Sequence, residues 1–232
     1  SADFYAAMVK TVETCECFLD LAELPFWQGD GEHHVLRGEE LTNSILNTQH
    51  QTTRSNLVAL KLINDTASKI LSGAIAQKFA PWIPECSDDI ISDVSCDSFY
   101  KKDVSGYGIL PHTESLQTVA VCMCYLPRDH ALSPYGTALM RPNDAKKRCL
   151  GVGNPLFPSD EFEVETRLGG KPNSLMAFVK TPTSWHSLPP LPNLPYARHY
   201  LSLVLTSHSR VSDVVFHERL SNGGTRAKGW SL

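Results

Sequence analysis

Pro111-His112-Thr113-Glu114 is the segment around which the sequence is organised, and Trp185-His186 is its distant partner. Residues two apart on a β-strand point to the same face, so a strand through the first segment would direct the imidazole of His112 and the carboxylate of Glu114 to one point. His186 follows His112 by 74 residues. Two histidines and one carboxylate are the set that holds Fe(II) and leaves three coordination positions open. The two segments therefore predict one metal site.

The residues around these segments are typical of a β-rich core. From residue 88 onward, short β-like runs are separated by Gly, Pro and Asp, which is the pattern of an all-β fold. We expect about eight strands between residues 90 and 207, arranged as two facing sheets. The predicted fold class is mainly β with flanking helices, built on a double-stranded β-helix, a cupin-like jelly roll. The metal would then lie inside its open end.

The N-terminal third has helical periodicity. Apolar residues recur at three- and four-residue steps over 54–80, before Pro81, and a weaker pattern of the same kind covers 2–24. These helices would lie on the outside of one sheet. We therefore predict one domain overall, with a helical support region at 1–85, a catalytic core at 86–210 and a C-terminal tail at 211–232.

Residues 141–161 interrupt the predicted strands with an irregular stretch that contains two glycines and three prolines. Segments of this length without regular structure are uncommon in a compact domain unless they are lids, binding loops or disordered. We interpret the stretch as a lid-like insertion over the substrate. A passive surface excursion is the alternative.

The composition excludes several classes of protein. With 42% hydrophobic residues, 20% charged residues and a net charge of -4, the chain offers no electrostatic case for binding nucleic acid or an anionic membrane. No apolar run reaches the length of a membrane span. The seven cysteines are odd in number and contain no Cys-x-x-Cys, which favours neither a disulfide framework nor a structural zinc site. We expect a cytoplasmic protein.

The motifs, in this order, resemble those of the Fe(II)/2-oxoglutarate-dependent dioxygenases, and most closely the prolyl-hydroxylase-like branch, over roughly residues 90–207. His112, Glu114 and His186 match the iron ligands of that family. Tyr125-Leu126 matches a strand end that follows the metal pair, and Gly136-Thr-Ala-Leu139 matches a later strand. The acidic ligand departs from the family pattern, because Asp is commoner there than Glu.

The resemblance also implies a cosubstrate site. Arg198 matches the basic residue that binds the distal carboxylate of 2-oxoglutarate, although it follows His186 by a few residues more than is usual. Arg198 begins an alternating run in which Tyr200 and Ser202 share its face, which makes Ser202 a secondary candidate. The hydroxyl of Tyr125 could reach the same carboxylate. The implied cofactors are Fe(II), 2-oxoglutarate and O2, with ascorbate as an auxiliary reductant.

The function that the resemblance implies is the oxidation of a C–H bond, coupled to the release of succinate and CO2. No appended peptide-binding, sugar-binding or nucleic-acid-binding module is recognisable, so we expect a small-molecule substrate. The fold alone leaves other classes open: a cupin-like isomerase or dioxygenase that does not use 2-oxoglutarate, or a binding module without catalysis. Arg198 and Tyr125 favour the 2-oxoglutarate-dependent class, since the other classes have no need to hold a second carboxylate.

Overall fold

The computed structural model describes residues 2–15, 19–20, 33–47, 51–79 and 94–207. Three α-helices lie in the N-terminal part: α1 (Ala2–Glu13), α2 (Gly38–Asn47) and α3 (Gln51–Phe79). The strands of the described part are β1 (Leu19–Asp20), β2 (His33–Arg37), β3 (Val94–Asp103), β4 (Ile109–His112), β5 (Thr118–Tyr125), β6 (Thr137–Pro142), β7 (Phe162–Leu168), β8 (Ser174–Val179), β9 (His186–Leu188) and β10 (Arg198–Ser207). Short 3-10 helices cover His130–Tyr135 and Ser159–Glu161.

The strands form two sheets that the chain visits alternately. The larger sheet has the order β1-β2-β3-β10-β5-β8 and the smaller one β4-β9-β6-β7. From β3 to β10 the chain passes between the sheets at every step except the β6-β7 hairpin, and all pairings of the described strands are antiparallel. Eight strands connected in this way form a double-stranded β-helix. The predicted fold class is confirmed.

The centre of the larger sheet is buried, since nearly all residues of β5 and β10 are buried. On the outer face, Leu203 and Leu205 pack in one core cluster with Leu57 and Leu60 of α3. The hydroxyl of Tyr100 donates a buried hydrogen bond of 3.0 Å to the Leu60 carbonyl. The helical pattern predicted over 54–80 thus corresponds to α3, and its apolar stripe supports the sheet as expected.

Several predicted boundaries can be compared with the described residues. The irregular stretch predicted at 141–161 begins inside β6 and ends in the second 3-10 helix, so its irregular part is 143–158. The predicted boundary at 85/86 and the tail at 211–232 lie outside the described residues. None of the described helices combines the length and apolarity that crossing a membrane requires.

The support role of α3 can be tested with two leucines of the same helix. Leu60 is fully buried and Leu62 is 67% exposed. Leu60→Ala should lower the free energy of unfolding by about 2–5 kcal/mol, since it removes buried methyl groups and leaves a cavity. Leu62→Ala should change it by no more than about 0.5 kcal/mol. Urea denaturation followed by circular dichroism measures both, and equal effects would contradict this packing of α3.

Candidate active site

The three predicted metal ligands meet at one end of the β-helix. His112 ends β4, His186 begins β9, and the two residues are direct cross-strand partners with ring centroids 4.3 Å apart. The Glu114 carboxylate oxygen Oε1 lies 3.0 Å from Nε2 of His186 and 3.7 Å from Nε2 of His112. The donor atoms of all three residues lie within 4.8 Å of one another. The sequence therefore identified a set of side chains that the fold brings together.

The position of the Glu114 carboxylate does not result from the alternation of side chains along a β-strand. β4 ends at His112, and Glu114 lies beyond it with a φ of 74°, a left-handed conformation that is uncommon for a residue other than glycine. The prediction that His112 and Glu114 lie on one strand is wrong. Their side chains converge because the backbone turns sharply after His112 and directs the carboxylate back towards the histidines.

Both histidines are oriented by the same backbone device. Nδ1 of His112 lies 2.9 Å from the carbonyl oxygen of Leu110, and Nδ1 of His186 lies 3.0 Å from that of Ser184. In the tautomer where Nδ1–H donates to the carbonyl, Nε2 carries the lone pair and faces Glu114. Such a second hydrogen bond fixes the tautomer and the ring orientation of metal-binding histidines.

The electrostatics favour the forms of Glu114 and His186 that bind a cation. Burial raises the pKa of Glu114, but the neighbouring His112 and His186 more than offset this effect and hold the pKa well below its usual value. Burial, together with His112, lowers the pKa of His186 in spite of the opposing effect of Glu114. A carboxylate and neutral imidazoles are the protonation states that metal binding requires. The donor set therefore fits Fe(II) with open coordination positions.

A cavity of about 550 Å³, including its open mouth, extends from these ligands between the sheets. The polar side chains on its walls outside the ligand set are Lys101, Tyr107, Thr137, Ser187, Arg198, Tyr200 and Ser202. Arg198 and Ser202 thus face the cavity, and their predicted contact with 2-oxoglutarate stays a prediction. Tyr125 lies behind the wall: its hydroxyl is 2.6 Å from that of Thr137, which does line the cavity.

Arg198 is engaged by a carboxylate that the sequence analysis did not identify. It lies opposite Asp103 in the β10-β3 pairing, and its Nε and Nη2 donate to Oδ2 of Asp103 at 2.8 and 2.5 Å. Nη1 donates to the carbonyl of Tyr135 at 3.3 Å. Burial lowers the pKa of Arg198, but Asp103 more than compensates and the net shift is upward. Arg198 and Asp103 form a buried ion pair, with side chains 3% and 0% exposed.

Lys101 is a second cation on the cavity wall that the sequence analysis missed. It lies opposite Tyr200 in the same strand pairing, with its ammonium 5.9 Å from the centre of the Tyr200 ring. Among the residues that the structure describes, it has no hydrogen-bond or ion-pair partner. Burial lowers the pKa of Lys101, and Glu114 and Asp103 oppose this shift. Alternation along β3 puts Lys101 and Asp103 on one face, but only the pairing with β10 identifies that face as the inner one.

The irregular segment 143–158 supports the turn that carries Glu114. Gly151 has a φ of 76°, and a Cβ built there would lie 2.0 Å from the carbonyl oxygen of Glu114. The amide of Leu116 donates to the Gly151 carbonyl at 3.2 Å. On the other side of Glu114, the Thr113 hydroxyl donates to the carbonyl of Cys149 at 3.1 Å. The segment therefore contacts the chain on both sides of Glu114.

The same segment is attached to the core at further points. The buried Lys180 donates from Nζ to the Leu150 carbonyl at 2.9 Å, and the amide of Phe157 donates to the carbonyl of Pro111 at 3.0 Å. The Phe157 ring also packs edge-on against Trp185, with centroids 5.1 Å apart. Pro111 and Trp185 each precede a predicted histidine ligand, so the segment contacts both ligand-bearing strands.

Comparison with known proteins gives no match in sequence and only weak similarity in structure. No protein-family model matches the chain, and no curated protein matches it in sequence. Among solved structures, it is similar to a prolyl-4-hydroxylase from Pseudomonas putida, with 12% identity over 89% of this chain and 88% of that chain and a TM-score of 0.48.

Two further solved structures are similar to a comparable degree. One is a dioxygenase for auxin oxidation from rice, with 10% identity, coverage of 96% and 81% and a TM-score of 0.48. The other is a prolyl hydroxylase from Trichoplax adhaerens in complex with a hypoxia inducible factor peptide, with 12% identity, coverage of 90% and 80% and a TM-score of 0.47. Likeness at this level assigns no activity to the chain, so its function has to follow from the site itself.

The support that the irregular segment gives to Glu114 can be tested at Gly151. Gly151→Ala should weaken metal binding by roughly 10–100-fold, the range found when a group that orients a metal ligand is lost, because the new Cβ would displace the Glu114 carbonyl. Gly153→Ala is the matched control, since Gly153 has a similar φ of 72° but nothing within 4 Å of its Cβ position. Titration with Co(II), followed by absorbance, measures both affinities, and equal weakening would contradict a specific support of Glu114.

Proposed function

We propose that this chain is an Fe(II)- and 2-oxoglutarate-dependent oxygenase that hydroxylates or otherwise oxidises a C–H bond of a small molecule. The observation that carries this proposal is the convergence of His112, Glu114 and His186 on the wall of a cavity that Lys101 and Arg198 also line. Two imidazoles and a carboxylate leave coordination positions for a 2-oxo acid and dioxygen. The cations on the wall suit the two carboxylates of that cosubstrate.

In the proposed mechanism, His112, Glu114 and His186 would hold the metal. Bound there, Fe(II) supplies the redox chemistry by which 2-oxoglutarate loses CO2 to become succinate, with one oxygen atom of O2 entering succinate and the other the substrate. The hydrogen bonds from the histidine rings to backbone carbonyls keep both Nε2 atoms directed at the ion. The cavity between the sheets, which these residues line, would hold the reacting atoms.

The cosubstrate would extend from the metal ligands along the inner face of β10. Asp103 and Tyr135 occupy part of the Arg198 guanidinium, so one N–H on each of Nη1 and Nη2 remains for the distal carboxylate. Ser202 lines the same cavity and could add a hydroxyl donor. Tyr125 would contribute indirectly, through its hydrogen bond with Thr137.

A second function is favoured by one specific observation. The pairing of Arg198 with Asp103 gives Arg198 a structural partner without any cosubstrate. That pairing would also suit a cupin-like metal isomerase or dioxygenase that does not use 2-oxoglutarate. The two proposals differ in whether succinate is formed.

The remaining sequence predictions concern substrate and location. A small-molecule substrate remains our proposal, and nucleic acid is not expected as a partner. The cytoplasmic location stays a prediction.

Succinate formation tests the proposed function directly. The purified chain with Fe(II), ascorbate, O2 and 2-oxoglutarate should form succinate, faster in the presence of its substrate. His112→Ala and His186→Ala should lower the rate by more than the roughly 10–100-fold typical for loss of an outer-shell partner. Glu114→Asp should retain part of the activity, because the ligand atom is unchanged and the side chain is shorter by one methylene.

His130→Ala is the matched control for these variants, since His130 is exposed and lies in a 3-10 helix away from the ligands. It should form succinate at the rate of the unmodified chain. Circular dichroism should give the same spectrum for all variants. Turnover of 2-oxoglutarate that survives in both alanine variants of the ligands would refute the metal assignment. Metal binding without any succinate would favour the cupin-like alternative.

Closure of the segment 141–161 over a bound substrate stays a prediction. Leu150 and Val152 are 47% and 68% exposed and flank Gly151, which contacts Glu114, so a ligand at the metal could cover them. Amide hydrogen exchange should therefore slow at 150–154 when substrate from an activity screen is added to the metal-loaded and 2-oxoglutarate-loaded chain. Identical strong protection with and without substrate would contradict a lid.

A further inference from the structure

The cavity contains two cations in different electrostatic states. Arg198 makes a two-point contact with Asp103, so the pair presents almost no net charge to a ligand. Lys101 has no ion-pair partner among the residues that the structure describes, and its side chain lines the same cavity. Uncompensated charge in a partly buried site is unfavourable unless a ligand pairs with it. Of the two, Lys101 is therefore the cation without a counterion among the described residues.

The charges around a bound 2-oxo acid support the same conclusion. Two positive charges on the metal are reduced to one by Glu114, and the charges of Arg198 and Asp103 cancel each other. Adding Lys101 gives the site two positive charges in total, which equals the two negative charges of 2-oxoglutarate. Without Lys101, one carboxylate would enter a low-dielectric cavity without a counterion.

The position of Lys101 agrees with this role. Lys101 is the direct cross-strand partner of Tyr200. The next pair on the same face of the sheet is Asp103 with Arg198. Glu114 at the metal end and Asp103 at the other end both act to raise the pKa of Lys101, against the effect of burial. A ligand that extends from the metal towards Arg198 would therefore pass the ammonium group.

We propose that Lys101, rather than Arg198, supplies the positive charge that holds the dianionic 2-oxo acid in the cavity. This inference rests on the proposed function. Arg198, held in place by Asp103, contributes directed hydrogen bonds and the shape of the cavity end. The site would then be electrically neutral once the cosubstrate is bound, and the remaining space would suit a substrate without a carboxylate of its own.

The first experiment measures cosubstrate binding without turnover. Isothermal titration calorimetry of 2-oxoglutarate into the anaerobic Mn(II)-loaded chain should show Lys101→Met weakening the affinity by roughly 10–100-fold, the effect of losing one hydrogen bond to a charged group. Lys101→Arg should retain most of the affinity. Lys102→Met is the matched control: Lys102 is the next residue on β3, does not line the cavity, and its loss should leave the affinity unchanged. Titration with Mn(II) alone should give similar affinities for all variants.

The second experiment removes the carboxylate that neutralises Arg198. Asp103→Asn keeps the shape of the side chain and removes its charge, so it should strengthen 2-oxoglutarate binding and should restore several-fold of the affinity lost in Lys101→Met when the two are combined. Such non-additivity is expected for groups that act on one ligand. If Asp103→Asn restored no affinity to Lys101→Met, Asp103 would not be neutralising Arg198, and the inference would be overturned.

The outcomes separate the inference from the proposed function. Absence of 2-oxoglutarate binding to the unmodified Mn(II)-loaded chain would refute the proposed function. Normal binding by the unmodified chain and equally tight binding by Lys101→Met would refute only the role of Lys101. Unchanged cosubstrate affinity in Lys101→Met, combined with lost substrate binding, would refute it too and would assign the lysine to an anionic substrate.

Discussion

The pairing of β10 with β3 on one side and β5 on the other is the constraint on which the site depends. β10 is central in the larger sheet and is buried along nearly all of its length. Leu201, Leu203 and Leu205 point to the helices, whereas the residues between them line the cavity. Because side chains alternate with a period of two, a one-residue shift of this strand would replace the polar wall by leucines and expose Arg198 to the helices. The core and the candidate site are therefore fixed by one register.

A second constraint acts on Glu114, the candidate acidic ligand. A non-glycine residue in the left-handed region costs about 1–3 kcal/mol and persists only where its surroundings enforce it. At Glu114 these surroundings are the hydrogen bonds and the close backbone contact of the segment around Gly151, which Lys180 holds from the core side. An irregular loop thus performs the structural work that a β-strand performs for the two histidines.

The cavity walls combine a neutralised cation with a free one. A buried ion pair is weak support for stability, because desolvation of the two charges offsets much of their attraction. The main effect of Asp103 is to orient Arg198, because two hydrogen bonds to one carboxylate oxygen fix the plane of the guanidinium. Charge recognition of a ligand then falls to Lys101, which has no such partner among the described residues.

The sequence by itself determined the strand-rich class, the apolar stripe of α3 and the choice of His112, Glu114 and His186 as side chains that could share one metal. These features follow from local periodicity and from residue types with specific chemistry. Both can be read from short stretches of the sequence. Tertiary structure alone decided that Glu114 lies outside β4, that Asp103 occupies Arg198 and that Lys101 faces the cavity. Each of these depends on strand register or on a loop that packs against a distant turn. Register is selected by packing between residues about a hundred positions apart, such as Asp103 and Arg198, and no local sequence pattern contains that information.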